Sequence, residues 1–130
     1  SWDVSGVTNM SLMFKQTPFN QPIGNWDVSN VRDMTQMFAI SPFNQDITSW
    51  DVSSVRDMSN MFNDSAFNQP IIDWDVRGVT RMHGMFRDNN LFNQDLSSWE
   101  VTNVTRCDGF SRNTTQWTLP KPNFTNCDPN

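Results

Sequence analysis

The sequence predicts an α/β solenoid with one short parallel strand and one short helix in each 24–25 residue repeat, ending in a disulfide-closed C-terminal cap. Three observations carry this. Trp2, Trp26, Trp50, Trp74 and Trp99 lie 24, 24, 24 and 25 residues apart, each followed by an acidic residue and then valine. Within each copy the apolar spacing changes from a period of two to one between three and four. The two cysteines, Cys107 and Cys127, both fall where the repeat decays. A fixed period in the twenties marks a stacked array whose copies pack mainly on their neighbours. Residues 1–110 read as that array, about four and a half repeats with an open N-terminal side, and residues 111–130 as the cap.

The strand comes first in each copy. Trp50 and Val52 alternate with Ser49, Asp51 and Ser53, so the apolar pair points into the core and the polar residues point out. Successive copies are then expected to stack in parallel at about 4.8 Å. After the strand, Val55, Met58, Met61 and Phe62 stand at i, i+3, i+6 and i+7, one face of a helix of about two turns. Gly6, Asn30, Ser54, Gly78 and Asn103 precede that valine as N-caps, and Asp33 and Asp57 fall three residues later, where a carboxylate suits a helix start. A loop then leads to Phe19, Phe43, Phe67 or Phe92, each followed by Asn-Gln. The fourth copy carries one extra residue in Arg87-Asp88-Asn89-Asn90-Leu91, expected as a loop bulge.

All eight methionines occupy two positions of the repeat, which reads as core filling by flexible thioethers rather than a soft-metal site. Asn20, Asn44, Asn68 and Asn93 recur at a chain bend, so they are expected to face inward and bond main-chain groups of their own and the adjacent copy. In the decaying end, Cys107 and Phe110 replace the two methionines, Trp117 falls out of period, and the Pro-interrupted tail reads as unable to form another layer. A Cys107–Cys127 disulfide would clamp this tail over the last copy and close a core end that arrays do not leave bare.

Cysteine placement and five Asn-x-Ser/Thr sequons point to an oxidising, secreted or cell-surface location. Asn113 and Asn123 in the irregular tail are the first expected glycan acceptors and Asn63 the next; Asn9 and Asn103 rank lower, being assigned to a helix and a cap. A net charge of −5 with only nine scattered Lys and Arg excludes a nucleic-acid partner. No run of 18 apolar residues is present, so no membrane span is expected in this segment. The chain opens in mid-repeat at Trp2-Asp3-Val4, and the expectation is that further copies of the same array or another subunit cover that edge.

The run Phe-Asn-Gln-x-Ile-x-x-Trp-Asp-Val-Ser-x-Val-x-x-Met-x-x-Met-Phe resembles the BspA-like leucine-rich repeat of bacterial and mycoplasma surface proteins, over residues 1 to about 110. Its Ile-x-x-Trp-x-Val-x-x-Val spacing is similar to the L-x-x-L-x-L-x-x-N of leucine-rich repeats, with valine at the usual asparagine. The resemblance implies an extracellular horseshoe or rod used in adhesion or surface assembly, with no catalytic residues and no cofactor.

Three functions are weighed. The first is an extracellular structural or adhesive module that presents a surface to protein, glycan or further copies of the array. The second is a calcium-stabilised module, and the third an enzyme. Carboxylates here recur from copy to copy, which builds a lattice and not one asymmetric active site, and the single histidine, His83, reads as a solvated surface residue; no enzyme is expected. Asp3, Asp27, Asp51, Asp75 and Glu100 share one outward strand position and form the candidate binding surface, with Asp27, Asp51 and Asp75 as the metal ligands if calcium binds. Like charges at that spacing repel, and the relief is open between Ca²⁺, a basic partner, raised pKa values, and hydrogen bonds to Ser29, Ser53, Arg77 and Thr102. Solvent screening of an ordinary charged face is the plain alternative.

Overall fold

The structure is a computed structural model that describes residues 2–130. Each copy of the repeat forms one rung of a stack: 2–25, 26–49, 50–73, 74–98 and 99–121, with 122–130 beginning a sixth. Among the described residues there is no helix, and the only sheet pairing is a column of isolated parallel bridges, Asn9 to Asp33 to Asp57 to Arg81 to Arg106. The α/β, leucine-rich-repeat solenoid expected from the sequence is therefore not built, although the copies do stack in parallel.

The expected helix is replaced by a run of tight turns. In the second rung the amides of Met34, Gln36, Phe38 and Ile40 donate to the carbonyls of Asp57, Ser59, Met61 and Asn63 on the third, at 2.8 to 3.0 Å. The amides between them close turns within the rung, Met37 onto Met34 and Ala39 onto Gln36, both at 3.2 Å. A helix would need those outgoing amides for its own i−4 carbonyls. Alternation of the two kinds of bond is maintained by a left-handed residue at every fourth position, Gln36 and Ile40 here, Asn60 and Asp64 next, then Gly84 and Asp88. Local chemistry favours turns as well: Asp33 and Asp57 accept the Thr35 and Ser59 amides at 2.9 Å, and such side-chain bonds compete with helix formation. A segment this short also nucleates a helix poorly. The run of turns still buries Val55, Met58, Met61 and Phe62, so the apolar spacing suits both conformations.

The expected strand is cut short on both sides. Turns Ile47 to Trp50 and Val52 to Val55 leave only Trp50–Val52 extended, below the length of an ordinary strand. Side chains join the rungs there. The indole N–H groups of Trp50, Trp74 and Trp99 donate to the Ile23, Ile47 and Ile71 carbonyls at 3.1, 3.1 and 3.0 Å. Asn30 and Asn103 do not cap helices; each donates to a carbonyl of the preceding rung, Ser5 and Arg77, at 2.8 Å. Gly78 has no side chain to do this, and Arg56 reaches the Ser53 carbonyl instead, in the space a Cβ on Gly78 would occupy.

Burial is carried by aromatic columns. Phe14, Phe38, Phe62 and Phe86 stack at 5.5 to 5.8 Å between centroids, and within each rung they lie 3.9 to 4.1 Å from Phe19, Phe43, Phe67 and Phe92. Trp50, Trp74 and Trp99 form a third column at 6.4 and 6.5 Å. Each such pair adds about 0.5–1.5 kcal/mol beyond its burial. Beside the columns, Asn20, Asn44 and Asn68 accept the backbone amide of the next copy's asparagine at 3.0, 2.8 and 2.9 Å. They face the surface edge of the stack and not the interior, Asn20 and Asn44 being exposed. In the fourth rung Asn89 is fully buried where Ser41 and Ser65 stood. Its longer amide spans the extra residue to accept the Leu91 and Phe92 amides and donate to the Phe67 carbonyl, and Leu91 bulges outward.

The tail is more regular than its sequence suggests. Trp117 falls 25 residues after Phe92 and continues that Phe column edge-on, 4.7 Å from Phe92. Thr118 donates its amide to Asn93 at 2.9 Å, as the next asparagine would. Phe124, Asn126 and Cys127 follow Val101, Asn103 and Val104 by 23 residues each. Phe124 packs on Phe110, and Asn126 donates to the Thr102 carbonyl at 2.6 Å. The tail is thus a contracted further rung, and its Val-column position carries the cysteine bonded to Cys107, with Cα atoms 5.9 Å apart. Closing this loop contributes about 3 kcal/mol in the chain-entropy model. Because Trp117 sits in a column meant for phenylalanine, its buried indole N–H finds no acceptor.

Ile40 is β-branched, 43% exposed and held at φ 53°, a conformation that costs such a residue on the order of 1–2 kcal/mol. Asn113 occupies the same column at φ 62°. Ile40→Asn is expected to raise stability by about 1 kcal/mol, read from the midpoint of urea unfolding; a loss of stability would show that the left-handed position is unstrained.

Candidate functional site

The acidic column lies on the Trp-Asp-Val face. Asp3, Asp27, Asp51 and Glu100 are exposed and Asp75 is half-exposed, so all five carboxylates of the predicted surface are brought to one side of consecutive rungs. Each of the first three closes a local turn. Asp3 accepts the Ser5 amide and hydroxyl at 3.0 and 2.6 Å, Asp27 those of Ser29 at 3.0 and 2.5 Å, and Asp51 those of Ser53 at 3.0 and 2.6 Å. Arg77 replaces that serine in the fourth rung and grips Asp75 with Nε and Nη2, both at 2.9 Å.

These bonds decide how the column carries its charge. The Ser5 and Ser29 hydroxyls, and then their amides, hold Asp3 and Asp27 below the usual carboxylate range, against a small upward push on Asp27 from Asp3. Arg77 holds Asp75 down to about 2. Of the reliefs considered for the repulsion, raised pKa values are therefore overturned at these three residues. Hydrogen bonding to Ser29, Ser53 and Arg77 is present, while Thr102 makes no bond to Glu100. Among the described residues no group of three or more His, Cys, Asp or Glu converges in a way that could hold a metal ion, so Asp27, Asp51 and Asp75 are separate turn-closing carboxylates. The sequence offers those serine bonds as one of four reliefs without choosing among them, although Asp-x-Ser at fixed spacing is the signature of such a turn.

His83 is half-buried, not solvated. Its Nδ1 lies 2.9 Å from the Ser59 hydroxyl, and Ser59 is 1% exposed. Desolvation first, and Arg106 second, lower its pKa below 6.5. Ser59, His83 and Asp108 occupy one repeat position on three rungs, but a hydroxyl so deeply buried is inaccessible to a substrate.

The sequons separate by what their amides already do. Asn113 donates its amide to Asp88 at 2.8 Å and Asn103 to the Arg77 carbonyl at 2.8 Å. Asn9 accepts the Ser11 amide at 2.8 Å. Asn63 is only half-exposed, whereas Asn123 is exposed. Glycosylation attaches sugar to the amide nitrogen, so Asn123 stands ahead of Asn113, whose amide is engaged by Asp88.

Two outcomes follow. A histidine whose folded pKa lies below its unfolded value contributes stability that is intact above about pH 6.5 and lost as pH falls toward the folded pKa. Stability should fall through that window in the natural chain, and His83→Ser, which restores the hydroxyl of the third rung, should remove that part of the fall; identical pH profiles would clear His83 of the effect. On secretion from a glycosylating host, glycopeptide mapping should find Asn123 at higher occupancy than Asn113, and the reverse order would contradict the amide argument.

Comparison with known proteins adds a family. A family described as Mycoplasma protein of unknown function, DUF285, matches residues 1–66 and 39–126. No curated protein and no solved structure matches the chain.

Proposed function

We propose, for a chain that belongs to the DUF285 family, a structural or adhesive role at the cell surface or in secreted material, with the acidic column as its contact surface. The partner that fits is an extended basic segment of another protein. One observation supports this reading above the rest: carboxylates recur on the exposed face of consecutive rungs, and at Asp3, Asp27 and Asp75 local hydrogen bonds favour the ionised form. A row of fixed negative charge attracts a partner carrying positive charge at matching intervals, and the attraction weakens with salt. The likeness of the repeat to BspA-like surface repeats supports surface display, but not their leucine-rich architecture. The disulfide agrees with an oxidising location. No helix of the described residues is long and apolar enough to cross a membrane.

Calcium stabilisation has less support, because the carboxylates do not converge. Glycan binding along the acidic column has less support, since the Trp50, Trp74 and Trp99 rings of that segment are buried.

The test uses an oligolysine peptide as probe. Asp27→Asn, Asp51→Asn and Asp75→Asn combined keep an acceptor oxygen for the turn amides and remove three charges. The triple variant should fold normally and bind the peptide at least about tenfold more weakly at low salt. Equal binding by both proteins would remove the column from the function, and a melting temperature raised by millimolar Ca²⁺ in the natural chain alone would favour the calcium reading.

A further inference from the structure

A second surface column has a property the acidic one lacks. Asn9, Asp33, Asp57, Arg81 and Arg106 are the residues of the parallel bridges, one per rung, on the side where the rungs are joined by backbone bonds. In chain order the column reads neutral, acidic, acidic, basic, basic. Asp33 and Asp57 are half-exposed, Arg81 and Arg106 exposed. Asp33, Asp57 and Arg81 form no salt bridge among the described residues, and Arg106 uses its Nε on Asp108 at 3.1 Å.

That order is self-complementary. Turning a second copy end for end about a two-fold axis between the third and fourth rungs sets Asp57 against the other copy's Arg81 and Asp33 against its Arg106. Both pairs occur twice by symmetry, as an isologous interface requires. The flanking columns raise no objection: Arg32 and Arg56 meet Thr105 and Thr80, while Thr35 and Ser59 meet Asp108 and His83. The same operation applied to the acidic column would oppose aspartate to aspartate or glutamate. Charge over the whole array has the same polarity, since residues 26–73 carry seven Asp and two Arg, and residues 74–121 carry five acids and six bases.

We infer that the bridge column is a docking surface for a second copy of this chain, laid antiparallel and side by side. The inference is independent of the role given to the acidic column, which is formed by other residues. A strip about four rungs long, some 20 Å at strand spacing, falls below a standard interface. Its pairs are exposed charges, so the association is weak, reversible and sensitive to salt.

Sedimentation of the whole chain tests it, up to about 1 mM protein and at about 50 and 500 mM salt. The natural chain is expected to form dimers at low salt and to revert to monomer at high salt. Arg81→Glu with Arg106→Glu, and separately Asp33→Arg with Asp57→Arg, should each give monomers at low salt, and the two variants mixed should dimerise again. Arginine is already accommodated at this position in two rungs, so folding should survive. If either pair misfolds, Asp33→Asn with Asp57→Asn takes its place, because Asn9 makes the same turn bond at 2.8 Å, and dimerisation should then weaken at least about tenfold. A natural chain that stays monomeric at the highest concentration, or a dimer that persists in a folded charge-reversed or neutralised variant, overturns the inference.

Discussion

Every second amide of the turn segment leaves its own rung, and the rest of the structure depends on that. If Met34, Gln36, Phe38 and Ile40 bonded inside their rung, the segment would be helical and adjacent copies would meet through side chains alone. Because they bond to Asp57, Ser59, Met61 and Asn63 instead, the rungs are held at backbone distance. The phenylalanine columns can then stack ring on ring, and a chain with 36% apolar residues closes a continuous core. The left-handed residues follow from the same requirement, since they re-aim the chain after each outgoing amide.

Away from that segment, side chains take over the joining of rungs, and this accounts for which polar residues recur. Asn20, Asn44, Asn68 and Asn93 offer an oxygen to an amide of the next rung, Asn30 and Asn103 an amide to a carbonyl of the one before, and three tryptophans an indole N–H. These asparagines and indoles cross between copies, whereas the aspartates and serines of the acidic column close turns within their own. The acidic column is thus free of structural duty between rungs, which leaves the outer oxygens of Asp3, Asp27 and Asp51 to solvent or a partner, while Arg77 takes both oxygens of Asp75.

Period, stacking, disulfide, acidic column and most core positions are legible in the sequence; Trp2 and Met13 of the first rung, at positions buried in later rungs, are exposed. Secondary structure is not legible, and the reason is specific. Val55, Met58, Met61 and Phe62 are spaced as on a helix, yet a run of turns with a left-handed residue at Asn60 and Asp64 buries the same four side chains. Apolar spacing reports which side chains face inward, not where the amides between them go. The residues that could have warned of turns were present, Asp33 and Asp57 two positions before Thr35 and Ser59, but they also fit a helix start. Trp117 falls out of the tryptophan period for a different reason: it belongs to the column that Phe92 occupies, and the rung spacing contracts after it. His83 shares its repeat position with the small hydroxyl residues Ser11, Thr35 and Ser59, whose size says nothing of depth, and only the packing shows that Ser59 is buried there.

The direction of the outgoing amides has an electrostatic consequence. At each of the four junctions between the five rungs, four amides of the turn segment point toward the later rung and one points back. Peptide dipoles of about 3.5 D aligned in this way add along the stack as they do along a helix. The array is therefore electrically polar along its axis, with its positive end toward the fifth rung. Two such rods lying side by side attract when their axes oppose and repel when they agree.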